Sequence, residues 1–492
     1  MKLDITTAAK VIVAGTESTA FTVQAQDQDG NAMVMGNAVT VNLASDSSGT
    51  HHFAAEAAGA AVTTVTIPQG ASSVNFYYTD YQPGAPTITV TATNYTQNTQ
   101  QQMVQGGWYD TGYQCRRRIT LDADKIATTT DAFPVLATST LAEMATVANG
   151  GCVANDDGRD IIFVDDDDAT LLNYEREKYD PTTGEIAYWI KTDISSTTDK
   201  TIYMYYGNSG ASDISSSTAV WDDNFVMVNH LAHDGVATTT YPDFLDSTKY
   251  ANNGSSVNMN SADLVNGQVD GSLDFDGVDD RVTHGLQLPK AQGTISHWLT
   301  PDTVTASTRV AYYESDGTTA NNYNGWGYLG DILEINTGLV DSNWGATYQD
   351  GVSQSPQHST GVAGVVGQSA LFTMTWNRSG NLVLYVNGVQ KFSVNISGTA
   401  YTSKTATVKQ LGRVGDGTLA RHWDGLIDEV RISNVARTEQ WIATEYNNQS
   451  DVASFLTIGA EECLSVPATR SGGENVKTRI KGGVIFKGGT RF

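Results

Sequence analysis

Apolar and polar residues alternate with a period of two through the N-terminal part of the chain. The segments "AVTVNLASDSSG" and "VTTVTIPQGASSVNFYYTD" carry this alternation, and the second is interrupted at Pro68-Gln69-Gly70. A period of two places successive side chains on opposite faces of a strand, and Gly, Pro and Asn between such runs mark turns. Turns recurring about every ten residues predict a small β-sandwich over residues 1–105.

The same pattern continues towards the C-terminus. In "NLVLYVNGVQKFSV" two alternating runs meet at Asn387-Gly388, which is a strong signal for a two-residue hairpin. "DGLIDEVRI" predicts a strand, and "RTEQWIATEY" shortly after it predicts a short helix. Composition agrees, because the chain has 47 Gly and 22 Tyr, which is typical of strands broken by turns. We therefore predict an all-β fold.

A chain of 492 residues is long enough for about three domains. The segment "QGGWYDTGYQCRRRITL" opens a second unit, and a third unit begins near Val220. The sequence thus divides into a first sandwich at 1–105, a second β-sandwich at 106–218, a larger β-domain at 219–462 and a glycine-rich tail at 463–492.

Charge is unevenly distributed. The chain has 54 Asp and Glu against 29 Lys and Arg, so its body should repel nucleic acid and anionic membranes. The segment from Leu464 to Phe492 is basic, with six Lys and Arg and one Glu. A basic tail on an acidic body is either a docking element for another protein or a solvated flexible end.

The tail also contains a short repeat in which an apolar residue precedes Lys-Gly-Gly. The repeated residues are Ile480, Lys481, Phe486 and Lys487. Such a segment could add as strands to a partner or to another copy of the chain, since glycine permits close backbone approach. The alternative is a disordered end.

Cysteine is sparse, with Cys115, Cys152 and Cys463. An odd, low count without a C-x-x-C pair predicts neither a disulfide framework nor a metal site. The start "MKLDITTAAKVIVAG" lacks the apolar stretch of a secretory signal, and no run approaches the 18 or so apolar residues of a membrane span. We therefore expect no membrane insertion. We also expect that the protein is assembled inside a host cell, or that it is exported by another route.

Two segments resemble known domain families. "IPQGASSVNFYYTDYQPGAPTITVTA" resembles bacterial and phage immunoglobulin-like repeat domains. "RDIIFVDDDD", "YEREKYD", "AYWIK" and "IYMYYGN", in this order, resemble a β-sandwich domain of unknown function that commonly precedes a laminin G-like domain in secreted and virion proteins.

The third unit resembles the laminin G-like, concanavalin A-like jelly roll. The resemblance is carried by "VDGSLDFDGVDDRV", "FTMTWNRSGNLVLYVNGVQ" and "WDGLIDEVRISNVARTEQWIATEYNNQ". One departure is His297 in "TISHWL", where an apolar or aromatic core residue is expected. The resemblances imply an immunoglobulin-like sandwich, a second sandwich and a jelly roll in tandem, followed by a short β tail.

We find no catalytic motif. Glycosidases on the jelly roll share an E-x-D-x-x-E strand, and glycoside hydrolysis needs two facing carboxylates. The nearest pair here, Asp428 and Glu429, lies on opposite faces of a strand, so Asp428 is better interpreted as a turn or edge anchor. His230 and His233 also face apart and make a poor metal pair. The chain is therefore predicted not to be an enzyme.

Clustered acids leave two alternatives open. Calcium takes six to eight oxygens from more than one loop, and laminin G-like domains can hold calcium at this edge. A calcium site would use Asp246, Asn252, Asp276 and Asp279. Otherwise "DFDGVDD" is a hairpin connection in which Gly277 supplies a positive φ and the aspartates cap backbone N–H groups. No other cofactor is expected.

Sugar recognition needs flat aromatic rings and well-placed polar groups. The candidate ligand-binding residues are Tyr323, Asn324, Trp326, Tyr328 and Trp344. The alternative is that these rings belong to the core, as most Trp and Tyr in sandwiches do.

These observations predict a structural component of a virus particle, of the tail-fibre, capsid-decoration or spike type, that attaches to a host-surface glycan. Its partners would be other virion proteins, contacted through the tail, and further copies of the chain, because repeated weak sites gain avidity. The alternative is a secreted or cell-surface bacterial adhesin that binds carbohydrate.

Overall fold

The computed structural model describes residues 1–82, 84–105, 107–232, 244–304, 309–315, 333–340, 342–350, 357–397, 408–413 and 422–464. In these ranges the chain forms sandwiches of antiparallel strands, which confirms the predicted all-β class. No helix in them is both long and apolar enough to cross a membrane.

The first sandwich is made from alternating strands with one face turned inwards. Its strands are β1 (Lys2–Ile5), β2 (Val11–Val13), β3 (Phe21–Gln26), β4 (Val39–Ser45), β5 (His51–Ala54), β6 (Ala61–Val62), β7 (Thr64–Ile67), β8 (Ser73–Asp80), β9 (Thr87–Thr91), β10 (Asn98–Gln101) and β11 (Met103–Gln105). Sheets β1-β3-β8-β5-β6 and β10-β9-β4-β7 enclose a core that includes Phe21, Ile67 and Phe76, and β11 runs parallel to β2.

The second sandwich follows. Its strands are β12 (Cys115–Leu121), β13 (Thr130–Thr140), β14 (Ile162–Asp165), β15 (Tyr174–Tyr179), β16 (Glu185–Ile194) and β17 (Lys200–Tyr206), with 3-10 helices at Ala123–Lys125, Ala142–Met144 and Val147–Asn149. One sheet has the order β13-β16-β15, and the other contains β14-β17-β12. Buried rings such as Phe163 and Tyr188 fill the space between them.

The jelly roll is the largest unit. Its elements are α1 (Ser217–Val220), β18 (Phe225–Asn229), β19 (Gly254–Val257), a 3-10 helix (Ser261–Asp263), β20 (Leu264–Asn266), β21 (Gly271–Asp276), β22 (Arg281–His284), β23 (Gln292–Pro301), β24 (Arg309–Ser315), β25 (Leu333–Val340), β26 (Asn343–Asp350), β27 (Gln357–Ala363), β28 (Ala370–Asn377), β29 (Asn381–Val386), β30 (Val389–Asn395), β31 (Val408–Leu411), β32 (Asp424–Ser433), α2 (Glu439–Ser450) and α3 (Val452–Phe455).

Two large sheets pack face to face in the jelly roll. One has the order β20-β21-β32-β23-β28-β29-β30, with β18 also paired to β32, and the other has the order β19-β22-β31-β24-β25-β26-β27. The predicted hairpin is confirmed, because β29 pairs with β30 across Asn387 and Gly388, both with positive φ. The short helix predicted from "RTEQWIATEY" is α2.

His297 departs from the expected apolar pattern but fits the core. Its ring is fully buried and stacks on Phe372, with ring centroids 6.2 Å apart. Burial lowers the pKa of His297 to about 3, so the ring packs as a neutral aromatic group.

The last described strand, β33 (Leu456–Cys463), returns from the jelly roll to the second sandwich. It pairs antiparallel with β12 and completes the sheet β14-β17-β12-β33. This differs from the sequence-based division, which placed residues up to 462 in the third domain. Local sequence patterns do not show this pairing, because Cys115 on β12 and Cys463 on β33 are 348 residues apart in sequence.

The cysteine prediction needs correction. Cys115 and Cys463 lie directly opposite each other in the β12–β33 pair and form a disulfide bond. Spacing along the sequence gave no indication of this, because the pairing depends on the return of β33. The jelly roll is therefore joined to the second sandwich at both of its ends.

Candidate functional site

An acidic edge of the jelly roll is the main candidate site. It begins with the β21–β22 hairpin, where carboxylate oxygens of Asp276, Asp279 and Asp280 lie within 4.8 Å of one another. Asp276 Oδ1 accepts hydrogen bonds from the N–H groups of Val278 and Asp279, and Asp280 Oδ2 accepts one from Asp276 N–H. Gly277 has a φ of +69°, as the hairpin interpretation expected.

Further aspartates from neighbouring segments extend this edge. Asp424 lies opposite Asp276 in the β21–β32 pair, and its backbone oxygen accepts a hydrogen bond from Asp302 N–H. Thr303 donates a hydrogen bond to the Asp424 carboxylate. We define the acidic rim as Asp263, Asp274, Asp276, Asp279, Asp280, Asp302 and Asp424.

The carboxylates of the acidic rim repel one another. Partial burial and then the charges of Asp302, Asp263, Asp424 and Asp276 raise the pKa of Asp274. Burial, together with the charges of Asp276, Asp263 and Asp279, raises the pKa of Asp280 to about 6. A cation bound among these groups would relieve this repulsion.

Of the four predicted calcium ligands, Asp276 and Asp279 belong to the acidic rim, whereas Asp246 and Asn252 bind backbone groups. Asp246 is buried and accepts hydrogen bonds from the backbone N–H groups of Val228, Thr248 and Asn252. The Asn252 side chain donates to the Val226 carbonyl. Asp246 and Asn252 therefore hold the backbone in place, and Asp246 is not among the acids grouped with Asp276 and Asp279.

Of the predicted ligand-binding residues, Trp344 lies within the described part of the chain. Tyr323, Asn324, Trp326 and Tyr328 lie outside the described residues. Trp344 is 2% exposed. Its indole lies between Phe372 and Trp423, with ring centroids 6.3 Å from each, so it occupies the core position that was the alternative to ligand binding. The tail residues Ile480, Lys481, Phe486 and Lys487 also lie outside the described residues.

A second cluster, which sequence analysis missed, lies between the second sandwich and the jelly roll. We define the interdomain charge cluster as Glu175, Glu177, His230, Glu429, Arg431 and Glu445. His230 Nδ1 lies 2.6 Å from Glu429 Oε1 and 3.5 Å from Glu177 Oε2, and His230 Nε2 lies 3.4 Å from Glu175 Oε2. Arg431 pairs with Glu429 at 2.5 Å and with Glu445 at 3.0 Å.

Two indoles enclose this cluster. Trp189 Nε1 donates to Glu177 Oε2 at 2.6 Å, and Trp221 Nε1 donates to Glu175 Oε2 at 2.8 Å. The Arg431 guanidinium lies over both rings, 4.2 Å and 4.9 Å from their centroids. The cluster thus sits inside an apolar interface formed by residues of both units.

Burial and charge act against each other in the cluster. Burial alone would lower the pKa of His230, but Glu429, Glu177 and Glu175 outweigh it and raise that pKa well above its ordinary value. Burial raises the pKa of Glu177 to about 8. These shifts favour the imidazolium form of His230 and the protonated form of Glu177.

Asp428 has the anchoring role predicted for it. Its Oδ2 accepts hydrogen bonds from the N–H groups of Gln268 and Val269. Glu429 has a φ of +52° beside a register shift in the β23–β32 pair, and this irregularity turns its side chain into the interface. The sequence showed the two acids but gave no sign of the bulge or of His230 as a partner.

Comparisons with known proteins find matching families for two parts of the chain. Residues 275–443 match the family described as the concanavalin A-like lectin/glucanases superfamily, and residues 157–248 match Domain of unknown function (DUF2341). No curated protein matches the sequence. The interdomain charge cluster draws Glu175, Glu177 and His230 from the second match and Glu429 and Arg431 from the first.

Solved structures give weaker likenesses. Domain 4 of AbnA, an extracellular arabinanase from Geobacillus stearothermophilus solved with arabinotriose, has 18% identity and a TM-score of 0.32, covering 46% of this chain and 98% of that one. The receptor binding domain of botulinum neurotoxin mosaic serotype C/D has 16% identity and a TM-score of 0.33, and the match covers 46% of this chain and 51% of the toxin domain. The match thus spans about half the length of the toxin domain. The chain contains a concanavalin A-like domain preceded by a DUF2341 domain.

Proposed function

We propose that this protein is a non-enzymatic attachment protein whose jelly roll binds a surface glycan with the help of a calcium ion at the acidic rim. The observation that carries the proposal is the acidic rim itself, which gathers aspartates from several segments at one edge of a lectin-like domain. Carbohydrate sites combine such polar groups with nearby loops.

The rim suits a hard cation. Asp276, Asp279 and Asp280 would hold calcium, which prefers carboxylate and carbonyl oxygens and takes six to eight of them. Bound there, the ion would offer coordination positions to the hydroxyl groups of a sugar. One oxygen of the Asp276 carboxylate and one of the Asp280 carboxylate are already oriented by backbone N–H groups of the hairpin.

The buried acids of the jelly roll support a non-enzymatic role. Burial raises the pKa of Glu314 to about 7, a value that would suit a general acid. However, Glu314 has no exposed surface and accepts hydrogen bonds from Gln287 and from Leu288 N–H. Glu429 is held by His230 and Arg431. Both carboxylates therefore serve the fold.

The glycan proposal is tested by binding the full chain to an array of glycans, with calcium and with a chelator. We expect binding to at least one glycan class in calcium, and at least a tenfold loss with the chelator. Asp279→Asn should cause a similar loss, because it removes a charged oxygen ligand. Asp223→Asn is the control, since Asp223 is an exposed aspartate of the same domain with an 85% exposed side chain.

Two outcomes would contradict this proposal. Binding that persists unchanged in chelator and in Asp279→Asn would remove calcium and the acidic rim from the mechanism. An array without any binding in calcium would contradict glycan attachment itself. For this result to count, the parent chain must be folded, as shown by a melting temperature that Asp223→Asn shares.

The location that we propose is a virus particle, with a bacterial cell surface as the alternative. The Cys115–Cys463 disulfide favours a protein that works outside the reducing cytoplasm, which fits both. Density-gradient separation of a producing culture distinguishes them. Co-migration with intact particles at a fixed ratio to the coat protein is the expected result, and recovery only from cells or medium would favour the adhesin.

A further inference from the structure

All three cysteines of the chain meet at one place. Cys115 lies on β12, Cys463 on β33, and Cys152 follows the 3-10 helix Val147–Asn149. The Sγ atoms of Cys115 and Cys152 and a carboxylate oxygen of Glu461 lie within 4.8 Å of one another, and Cys463 is bonded to Cys115. A disulfide needs two sulfurs, so the third thiol and the carboxylate have no part in it.

Glu461 is held in place beside the two thiols. Tyr206 donates a hydrogen bond of 2.8 Å to Glu461 Oε1 and so fixes the carboxylate. A metal ion at this point would bind the cysteines as thiolates, because a coordinated thiol loses its proton.

We propose that the reduced protein binds a zinc-type divalent ion through Cys115, Cys152, Cys463 and Glu461. Three thiolates and one carboxylate form a tetrahedral set that zinc accepts, with Zn–S distances of about 2.3 Å. Ligand sulfurs around such an ion are about 3.8 Å apart. Cys115, Cys152 and Glu461 already converge within 4.8 Å, and the Cys463 sulfur, which is bonded to Cys115, has to turn towards the ion after reduction. Tyr206 then orients Glu461 from outside the ligand set, as partners of metal ligands usually do.

The metal site and the disulfide exclude each other. A thiol or phosphine reductant supplies two electrons, is itself oxidised, and leaves Cys115 and Cys463 as thiols. Binding of the ion then displaces the three thiol protons to solvent. Oxidation by a disulfide-forming agent removes two of the ligands and releases the ion. Both forms fasten β33 to β12, so the strand is held in reducing and in oxidising surroundings.

Cobalt(II) is the probe that tests this site, because it takes the place of zinc and gives visible absorption in a tetrahedral thiolate site. The full chain, reduced with a phosphine under anaerobic conditions, is titrated with cobalt(II). We expect one ion per chain, sulfur-to-cobalt charge-transfer absorption, and loss of both signals when zinc is added. The oxidised chain should show neither signal.

Variants assign the ligands. Cys152→Ser should weaken cobalt binding at least tenfold and reduce the charge-transfer intensity, while peptide mass spectrometry still finds the Cys115–Cys463 disulfide after oxidation. Glu461→Gln should weaken binding, whereas Glu462→Gln should not, because the neighbouring Glu462 side chain pairs with Arg116 instead.

Two results would overturn the proposal. The first is a reduced parent chain without thiolate-cobalt absorption. The second is Cys152→Ser with the affinity and spectrum of the parent. Disulfide formation in Cys152→Ser shows that β12 and β33 are still paired, so a loss of cobalt binding in that variant cannot be attributed to misfolding.

Discussion

At the scale of single residues, the interdomain charge cluster makes stability depend on pH. Glu177 has a pKa of about 8 in the folded chain against an ordinary value of 4.5. The folded state therefore binds more protons than the unfolded state between these values, and the free energy of unfolding falls as the pH rises through that window. His230 acts in the same direction, since its stabilising charge is complete below its ordinary pKa of 6.5 and is lost as the pH rises through the raised folded value.

Replacing Glu177 tests this dependence. In Glu177→Gln the side chain stays neutral and can still accept the hydrogen bond from Trp189, so the fall in melting temperature between about pH 6 and pH 9 should be smaller than in the parent. Glu185→Gln is the matched control, because Glu185 is a surface partner of Lys178 with a 42% exposed side chain. Equal pH slopes for Glu177→Gln and the parent would show that Glu177 is ionised when folded.

Sequence alone predicted those residues whose partners are local. The turn at Asp276 to Asp280 and the hairpin at Asn387-Gly388 follow from contacts within a few residues. His230 and Glu429 are 199 residues apart, and their pairing depends on how two sheets approach. Asp246 was predicted as a calcium ligand because the sequence shows its carboxylate. The sequence does not show the backbone N–H groups from which that carboxylate accepts hydrogen bonds.

At the scale of elements, β33 decides how the chain is divided. The sequence-based division placed this strand at the end of the third domain, because an alternating pattern indicates a strand but does not show with which other strand it pairs. In the structure it covers the edge of β12, and an uncovered edge of this kind would invite pairing with other chains. The first peptide bond after Cys463 stays in this pair, since Leu464 N–H donates to the Gln114 carbonyl. Leu464, the last described residue, therefore lies beside the second sandwich.

α2 links the same two units from the jelly-roll side. Asn448 exchanges hydrogen bonds with both backbone groups of Leu136 on β13. Thr444 accepts one from Ala127 N–H, and Asn447 donates one to the Lys125 carbonyl. Polar residues on α2 that would be solvated in an isolated jelly roll thus contact the second sandwich. Because these contacts are polar, the pattern of apolar residues in the sequence did not show which face of α2 packs.

At the scale of the whole molecule, these contacts make the second sandwich and the jelly roll one cooperative unit. They share an apolar cluster that includes Leu136, Trp189, Trp221 and Phe225, the interdomain charge cluster and β33. The first sandwich has a separate core made of its own residues. Calorimetry of the oxidised full chain should therefore show two transitions, one for residues 1–105 and one for the two other units together.

Two matched core substitutions assign these transitions. Phe76 and Phe163 are both fully buried, in the first and second sandwich respectively, and Phe→Ala in a core costs about 3–5 kcal/mol. Phe76→Ala should lower only the transition of residues 1–105. Phe163→Ala should lower the joint transition, including the unfolding of the jelly roll, whose own tryptophans report it by fluorescence. A third transition that stays at its temperature in Phe163→Ala would mean that the jelly roll unfolds independently, and that the disulfide, β33 and the charge cluster join the units without coupling their stability.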